Sequence, residues 1–465
     1  MPQAQAGAAP PRPDGPTPKG RKRISLLGAL RWFAVSYGFA VLGYLVINAV
    51  ASRWLGLADF TDFVIVLTVS TVLGQLSLVG VHRGGLRDAA VLGQGAGDDA
   101  ARLRHLRSGA RSARLVTLPA GALVGAAVFY AVTGGDPAQR LVSALCFGLL
   151  VHLSGLQKLW ANYLRGLGEV RLASLLEGRS GGGVVSIAQA LLMVAAWQLV
   201  PGSELTGAMV ALVLGYAVPV AYSGRRVTRH WRHLPADGGL WGDVTGSVRR
   251  SWRFAVNQLS TYLGGNIELW IAALLLIDSQ ASLFSAAQRL ALLLAIPLTS
   301  VQVVFAPVAA RMLASGDTAR LQRVLRTGGT FAALVSAVLL LPMLTLPGPV
   351  LGVVFGSRFE PAATVLFLLT LGIAANVLSG LCGTALTMSH REGFVAGVQA
   401  TGVAMRILVG GAAAHVFGLT GLAVAATVIT ALTYLTLWLS ARRMLSLWTH
   451  PTLRPSLGVL RRTDG

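Results

Sequence analysis

Apolar residues along this chain come in runs of roughly the twenty needed to cross a bilayer, each bounded by a short polar or basic stretch. Twelve runs can be drawn: 32–52, 62–81, 115–133, 141–161, 180–199, 205–223, 254–277, 283–305, 330–355, 362–389, 394–417 and 419–439. Inside lipid every backbone polar group must be satisfied within the protein, so runs of this length form helices. The pattern predicts an all-α polytopic membrane protein, with twelve transmembrane helices in two six-helix lobes around a central cavity.

Composition sharpens this picture. Hydrophobic residues make up 54% of the 465, charged residues 12%, and mean hydropathy is +0.64, values foreign to a soluble domain. The formal charge of +21 would suggest nucleic acid in a soluble chain, but here the placement of the charges decides. With the N-terminus in the cytoplasm, the inside segments hold 34 Lys or Arg, the outside loops only Arg53, Arg140 and Arg358, and two arginines fall within the spans. That asymmetry follows the positive-inside rule and would collapse if one helix were missed. It predicts a multi-pass protein of the cell membrane with both termini cytoplasmic, and no nucleic-acid partner.

Five regions are expected: a disordered basic arm over 1–30, an N-lobe over 31–223, a basic connector over 224–252, a C-lobe over 253–441 and a basic tail over 442–465. The collar 19–23 would sit against anionic inner-leaflet lipids. Residues 100–107 fit either a short amphipathic surface helix or a solvated loop. The first run is long enough to span, so no cleavable signal peptide is expected. Sliding the chain by 221 residues puts Phe63 on Phe284 and relates the halves by an axis along the membrane normal. Two bundles so related can open a cavity to one side at a time. Cys146 and Cys382 lie within spans, so no disulfide is implied. No stretch matches a phosphate-binding nucleotide loop and no His/Cys/Asp/Glu cluster has metal spacing, so neither cofactor nor metal is expected.

Candidate chemistry lies where charge enters the spans. The runs 254–277 and 283–305 form a tight hairpin; Glu268 lies eleven residues before Ser279 at its turn and Arg289 ten after it. That depth is roughly 15 Å, near the middle of the hydrocarbon core. An ionised group there costs about 2.5–3.5 kcal/mol on insertion scales. Arg406, in the eleventh run, lies at similar depth. Arg289 and Arg406 are candidates to line the cavity and meet an anionic cargo; the competing reading is a buried pair between Glu268 and one arginine, Arg289 first. Glu268 is also the leading ion-coupling candidate, because Asn257, Thr261, Gly264 and Glu268 form one small, polar helical stripe. His152, Gln189 and Gln75 could contact sugar hydroxyls or simply bond neighbouring helices. Asp62, a further ion-coupling candidate, lies near a helix end, where a capping or solvated role would suffice.

Four stretches carry a family resemblance: 53–63 (RWLGLADFTDF), 164–174 (LRGLGEVRLAS), 284–290 (FSAAQRL, followed by Pro297 and Pro307) and 353–363 (VVFGSRFEPAA). Their order and spacing, over nearly the whole chain, resemble Wzx-type polysaccharide flippases, grouped with lipid II flippases and MATE exporters in the MOP superfamily. The resemblance implies a monomer that moves a polyprenyl-diphosphate-linked oligosaccharide from the inner to the outer leaflet, with glycan-assembly enzymes as candidate partners. It also implies that Arg289, following a small-residue pair, faces the central cavity. Relatives carry more cations in the first two helices, where this chain offers only Arg31 and Arg53 for the diphosphate. Two alternatives stand beside the flippase reading. A MATE-like exporter of cations would be repelled by two midplane arginines. A membrane enzyme acting on lipid-linked sugars would be expected to carry a large external loop or a catalytic carboxylate near a membrane face, and neither stands out.

Overall fold

A computed structural model describes residues 26–90, 92, 99–176, 182–199, 205–232, 239–314 and 317–454. The first half comprises α1 (Leu26–Trp54), α2 (Leu57–Leu76), α3 (Val81–Ala90), α4 (Asp99–Ser112), α5 (Leu118–Val132), α6 (Pro137–Gly166), α7 (Val170–Leu176), α8 (Gly183–Leu199) and α9 (Leu205–Thr228). The second comprises α10 (Leu240–Leu275), α11 (Asp278–Ala291), α12 (Ile296–Ala314), α13 (Thr318–Thr345), α14 (Pro347–Phe355), α15 (Ala363–Ser379), α16 (Cys382–Met388), α17 (Glu392–Met405) and α18 (Gly411–Leu445). No strand occurs among the described residues.

Among the described residues, each of the twelve apolar runs is mainly helical. Eight helical stretches are long and apolar enough to cross a membrane, and shorter apolar helices at Gly38–Trp54, Gly183–Leu199 and Tyr262–Leu275 supply three more. The twelfth span appears because Glu392–Leu445 is really two helices, folded back at Gly418, whose φ of 60° suits glycine alone. This is a multi-pass membrane protein, and its outer surface shows it. Leu123, Val218, Leu274 and Val353 are each more than 70% exposed, as side chains facing acyl chains would be. Small residues make the interior: α2 crosses α6 where Gly74 meets Ser154 and Gly155 with no room for a side chain.

Helices of each half pack chiefly on one another, α1 on α8 and α6 on α5 and α9, and later α15 on α18 and α12 on α13. Several stretches expected to be loops are helical. The connector 224–252 is shorter than expected, because α9 runs on to Thr228 and α10 begins at Leu240. Residues 100–107 lie in α4, but this helix does not float on a membrane surface: a π-helical turn at Ala113–Thr117 carries it directly into α5. The N-terminal collar lies outside the described residues. Both cysteines are free and buried.

Beyond α18 the tail does not leave the body. Ser446 adopts a left-handed conformation (φ 57°) and turns the chain back over the C-lobe. Trp448 N–H donates to Gln322 Oε1 (2.8 Å), Thr449 Oγ1 to the Ser379 carbonyl (2.8 Å) and Thr452 N–H to Thr330 Oγ1 (2.8 Å). The strap lies in the gap between α15 and α16 at Gly380, where φ is +67° and a side chain would strike the Thr449 carbonyl.

The internal repeat becomes visible where the halves meet. Thr61 and Ser282, 221 residues apart, join hydroxyl to hydroxyl. Thr61 Oγ1 also reaches the Asp278 carbonyl at 3.4 Å, and Ser282 Oγ donates to the Leu57 carbonyl. Leu57 and Asp278 are themselves 221 apart, so the two contacts are mates across a pseudo-two-fold axis. Phe63 and Phe284, superposed by the same shift, are both fully buried.

Candidate functional site

A cavity of about 270 Å³ lies within the C-lobe, between α10, α11, α15, α17 and α18. Its polar wall comes from Glu268, Gln288, Asn376, Gln399, Arg406 and Thr430. Arg406 opens the π-helical turn Arg406–Gly410, where α17 is widened by one residue per turn, and its side chain reaches inward. It donates to the Gly264 carbonyl at 2.8 Å and to Thr430 Oγ1 at 2.9 Å. Its Nε lies 2.9 Å from Glu268 Oε1 but off the line of the N–H, so this contact is an ion pair rather than a directed hydrogen bond. Gln288 Nε2 approaches the other Glu268 oxygen at 3.4 Å. Glu268 is 7% exposed, which makes the pairing obligatory for a charged carboxylate.

The expected partner of Glu268 therefore changes: Arg406, not Arg289. Counting from the hairpin turn matches the two helices in level, and Gln288, one residue before Arg289, does turn toward Glu268. Arg289 points the other way, out of the C-lobe. It is 8% exposed, donates through Nη1 to the Tyr44 hydroxyl and through Nη2 to the Val64 carbonyl at 3.4 Å, and its guanidinium carbon lies 5.4 Å from the Tyr44 ring centre. Arg289 is thus a C-lobe cation seated against α1 and α2, and it does not line the described cavity. Among the described residues its partners are all neutral.

The other candidates disperse. Gly264 and Glu268 share the cavity wall as the polar stripe requires, while the side chains of Asn257 and Thr261 lie outside the described set. Arg31 lies on α1, its side chain likewise outside that set. Arg53 lies at the far end of α1 and grips the carbonyls of Val353 (2.7 Å) and Val354 (2.5 Å) at the end of α14. It is therefore placed as a latch between lobes. Asp62 is exposed at the start of α2, close to Asp59 and Asp278 and away from the cavity. Gln189 is fully buried and donates to the Leu212 carbonyl at 2.9 Å, which is the interhelical bond anticipated as the alternative to sugar contact. His152 is half-buried on α6 and Gln75 on α2; neither lines the described cavity. Sequence reasoning missed Tyr44, Asn376 and Gln399, which carry no charge to mark them within apolar runs. Among the described residues no His/Cys/Asp/Glu group could hold a metal.

Around Arg53 the same end of the molecule is closed. Ser52 Oγ donates to the Phe355 carbonyl (2.9 Å), Arg358 Nη1 to the Leu55 carbonyl (3.4 Å), and Phe60 packs edge-on against Phe355 and Phe359.

No protein-family model matches the sequence, and no curated protein does. Solved structures do. An inward-facing MATE-family multidrug resistance transporter of the MOP superfamily superposes with a TM-score of 0.63 at 14% identity, covering 90% of this chain and 97% of that one. Its outward-facing counterpart gives 0.56 at 15% identity over 92% and 99%. A MOP-superfamily transporter from Pyrococcus furiosus, described by a reversed polarity of its binding pocket, gives 0.54 at 14% identity over 92% and 99%. Over nearly its whole length, this chain has the twelve-helix, two-lobe fold of the MATE transporters of the MOP superfamily.

Proposed function

We propose that this protein is an alternating-access membrane transporter whose cargo is anionic, and specifically a flippase for a polyprenyl-diphosphate-linked oligosaccharide. Its basic end faces the cytoplasm with both chain termini, by the positive-inside rule. The observation that carries the reading is the inventory of buried charge within the helices. Glu268 is matched by Arg406, so the C-lobe cavity offers no uncompensated carboxylate to a cation. Arg289 remains, buried at the lobe junction with only neutral partners among the described residues. A guanidinium held this way is costly to desolvate, and a diphosphate arriving between parting lobes would offset that cost with bidentate contacts. A cation exporter of the same fold would want the opposite sign. The reversed pocket polarity named for the P. furiosus neighbour shows that this fold accommodates more than one charge pattern.

The test is to measure lipid-linked sugars in the host after depletion, then restore wild type or Arg289→Ala. One polyprenyl-diphosphate oligosaccharide should build up on the inner leaflet and be relieved by wild type but not by the variant. If no such lipid accumulates while sensitivity to cationic toxins rises, the cargo is a cation and Arg289 is structural.

A further inference from the structure

The C-lobe cavity holds polar groups that neither the fold nor the diphosphate contact at Arg289 employs. Asn376 of α15 lines it and is 8% exposed, and among the described residues its amide meets no hydrogen-bond partner. A buried amide without a partner is costly, so this one is placed to bond something inside the cavity. The Gln399 amide, exposed at the rim, and the Tyr434 hydroxyl stand on the same wall. All three groups can both donate and accept.

The charges of the wall cancel. Glu268 and Arg406 lie 2.9 Å apart, so an anion entering the cavity would face the carboxylate and a cation the guanidinium, while a neutral guest is repelled by neither. Neither group is used up. Among the described residues the carboxylate meets Arg406 and, at 3.4 Å, Gln288, and Arg406 commits two of its five N–H groups to hydrogen bonds, to the Gly264 carbonyl and to Thr430. Both can still bond a hydroxyl, and hydrogen bonds to charged groups are the stronger kind.

Glycine keeps the room open. A Cβ added at Gly265 would meet nothing within 4 Å, and at Gly264 the nearest atom is Val403 Cγ2 at 3.6 Å, so close helix packing demands neither glycine. Both line the cavity, and its volume of about 270 Å³ holds one sugar ring. Leu369, Ile373 and Val403 give it an apolar side that water alone would leave unmatched. A pyranose answers both surfaces, with hydroxyls around its edge and C–H groups on its faces. Gln288 and Arg289 leave α11 in opposite directions, toward Glu268 and toward Tyr44, so this cavity and the junction at Arg289 lie on opposite sides of one helix.

We propose that the C-lobe cavity is a subsite for one neutral sugar ring, bonded by Asn376, Gln399 and the Glu268–Arg406 pair. It deepens the glycan reading above, on which its part in transport rests; the binding itself rests on the cavity's own chemistry.

The experiment is saturation-transfer NMR on the purified full-length protein, in an uncharged polyoxyethylene detergent free of sugar, titrated with glucose, galactose and N-acetylglucosamine. At least one should give a saturable signal. Affinity should fall about tenfold in Asn376→Leu, which removes the free amide at similar volume, and binding should be lost in Gly265→Leu, which fills the open space. Thr401→Val, on the other side of α17 and outside the cavity, should bind as wild type does. Glucosamine and glucuronate, each bearing one charge, should bind at least about tenfold more weakly than the neutral sugar. A signal from none of the three neutral sugars would leave the cavity to water and overturn the proposal, as would undiminished binding in the cavity variants. Should one of these not fold, the other gives the same comparison. Sugar bound here while depletion leads to no build-up of a lipid-linked glycan would support the subsite and refute the flippase; build-up without sugar binding would do the reverse.

Discussion

At the scale of single residues, the charges buried within the helices divide into a closed pair, Glu268 with Arg406, and a lone cation, Arg289. Arg406 and Glu268 satisfy each other inside one lobe, with Gln288, Thr430 and the Gly264 carbonyl taking up remaining valences. Truncating either partner leaves a buried charge alone, which costs roughly 3–5 kcal/mol, whereas removing both costs much less. Arg406→Leu and Glu268→Leu should each lower the unfolding temperature in detergent steeply, and the double variant should recover most of the loss. If Glu268 instead served transport by releasing a proton, Glu268→Gln would keep its stability and stop transport, and Arg406→Leu would not be rescued. That Glu268 lies level with the residues around Arg289 was readable from the sequence, because it needs only a count from the turn at Ser279. Pairing was not, because it depends on the rotation of each helix about its own axis. The π-helical turn at Arg406 alters that rotation without leaving a mark in an apolar run.

At the scale of elements, the twelve spans were legible because in lipid a helix must be both long and apolar, and nothing else competes for that pattern. The segments at the basic end were not. Polar composition there fits a loop as well as a helix, so at α4 the two readings stood side by side, and the start of α10 was hidden within an expected connector. The strap after α18 was hidden too, since a basic tail read as one more solvated end. The strap brings a titratable group against fixed charge: His450 lies beside Arg326, whose Nε donates to its carbonyl at 3.3 Å, and next to Trp448, over which Arg442 stacks at 4.7 Å. Burial first, then the Arg326 charge, holds the imidazole below its ordinary value of 6.5. The sign follows: above that value the ring is neutral whether the strap is docked or free, and docking is undisturbed. As pH falls below it, the free strap takes up the proton first, so docking weakens. Hydrogen exchange at the Trp448 and Thr452 amides, corrected for intrinsic rates, should show protection falling between about pH 7.5 and 5.5. His450→Phe should flatten the dependence; a wild-type profile already flat would show that the strap does not sense the proton.

At the scale of the whole molecule, the two lobes meet along an axis whose residues touch their own repeats. Thr61 and Ser282 form that contact, bracketed by Arg53 on the α14 carbonyls, Ser52 on Phe355, Arg358 on Leu55 and the Phe60–Phe355–Phe359 cluster. All of these lie at the end opposite the basic segments, so that end is latched. The latch joins hydroxyl and guanidinium contacts to helix-end carbonyls, each worth about 1 kcal/mol net and replaceable by water, with one buried aromatic cluster, Phe60 against Phe355 and Phe359. Most of this interface can exchange protein for water as it opens, and the aromatic cluster is the part of the core that the proposed alternating access must part. In a Cys146→Ala/Cys382→Ala background, Thr61→Cys/Ser282→Cys should cross-link on mild oxidation. Cargo movement should then stop, and a reductant should restore it. Single-cysteine variants treated alike should keep working, which separates locking from oxidative damage. Transport continuing in fully cross-linked protein would mean that these ends never part, and the rocking of two lobes about this axis would have to be abandoned.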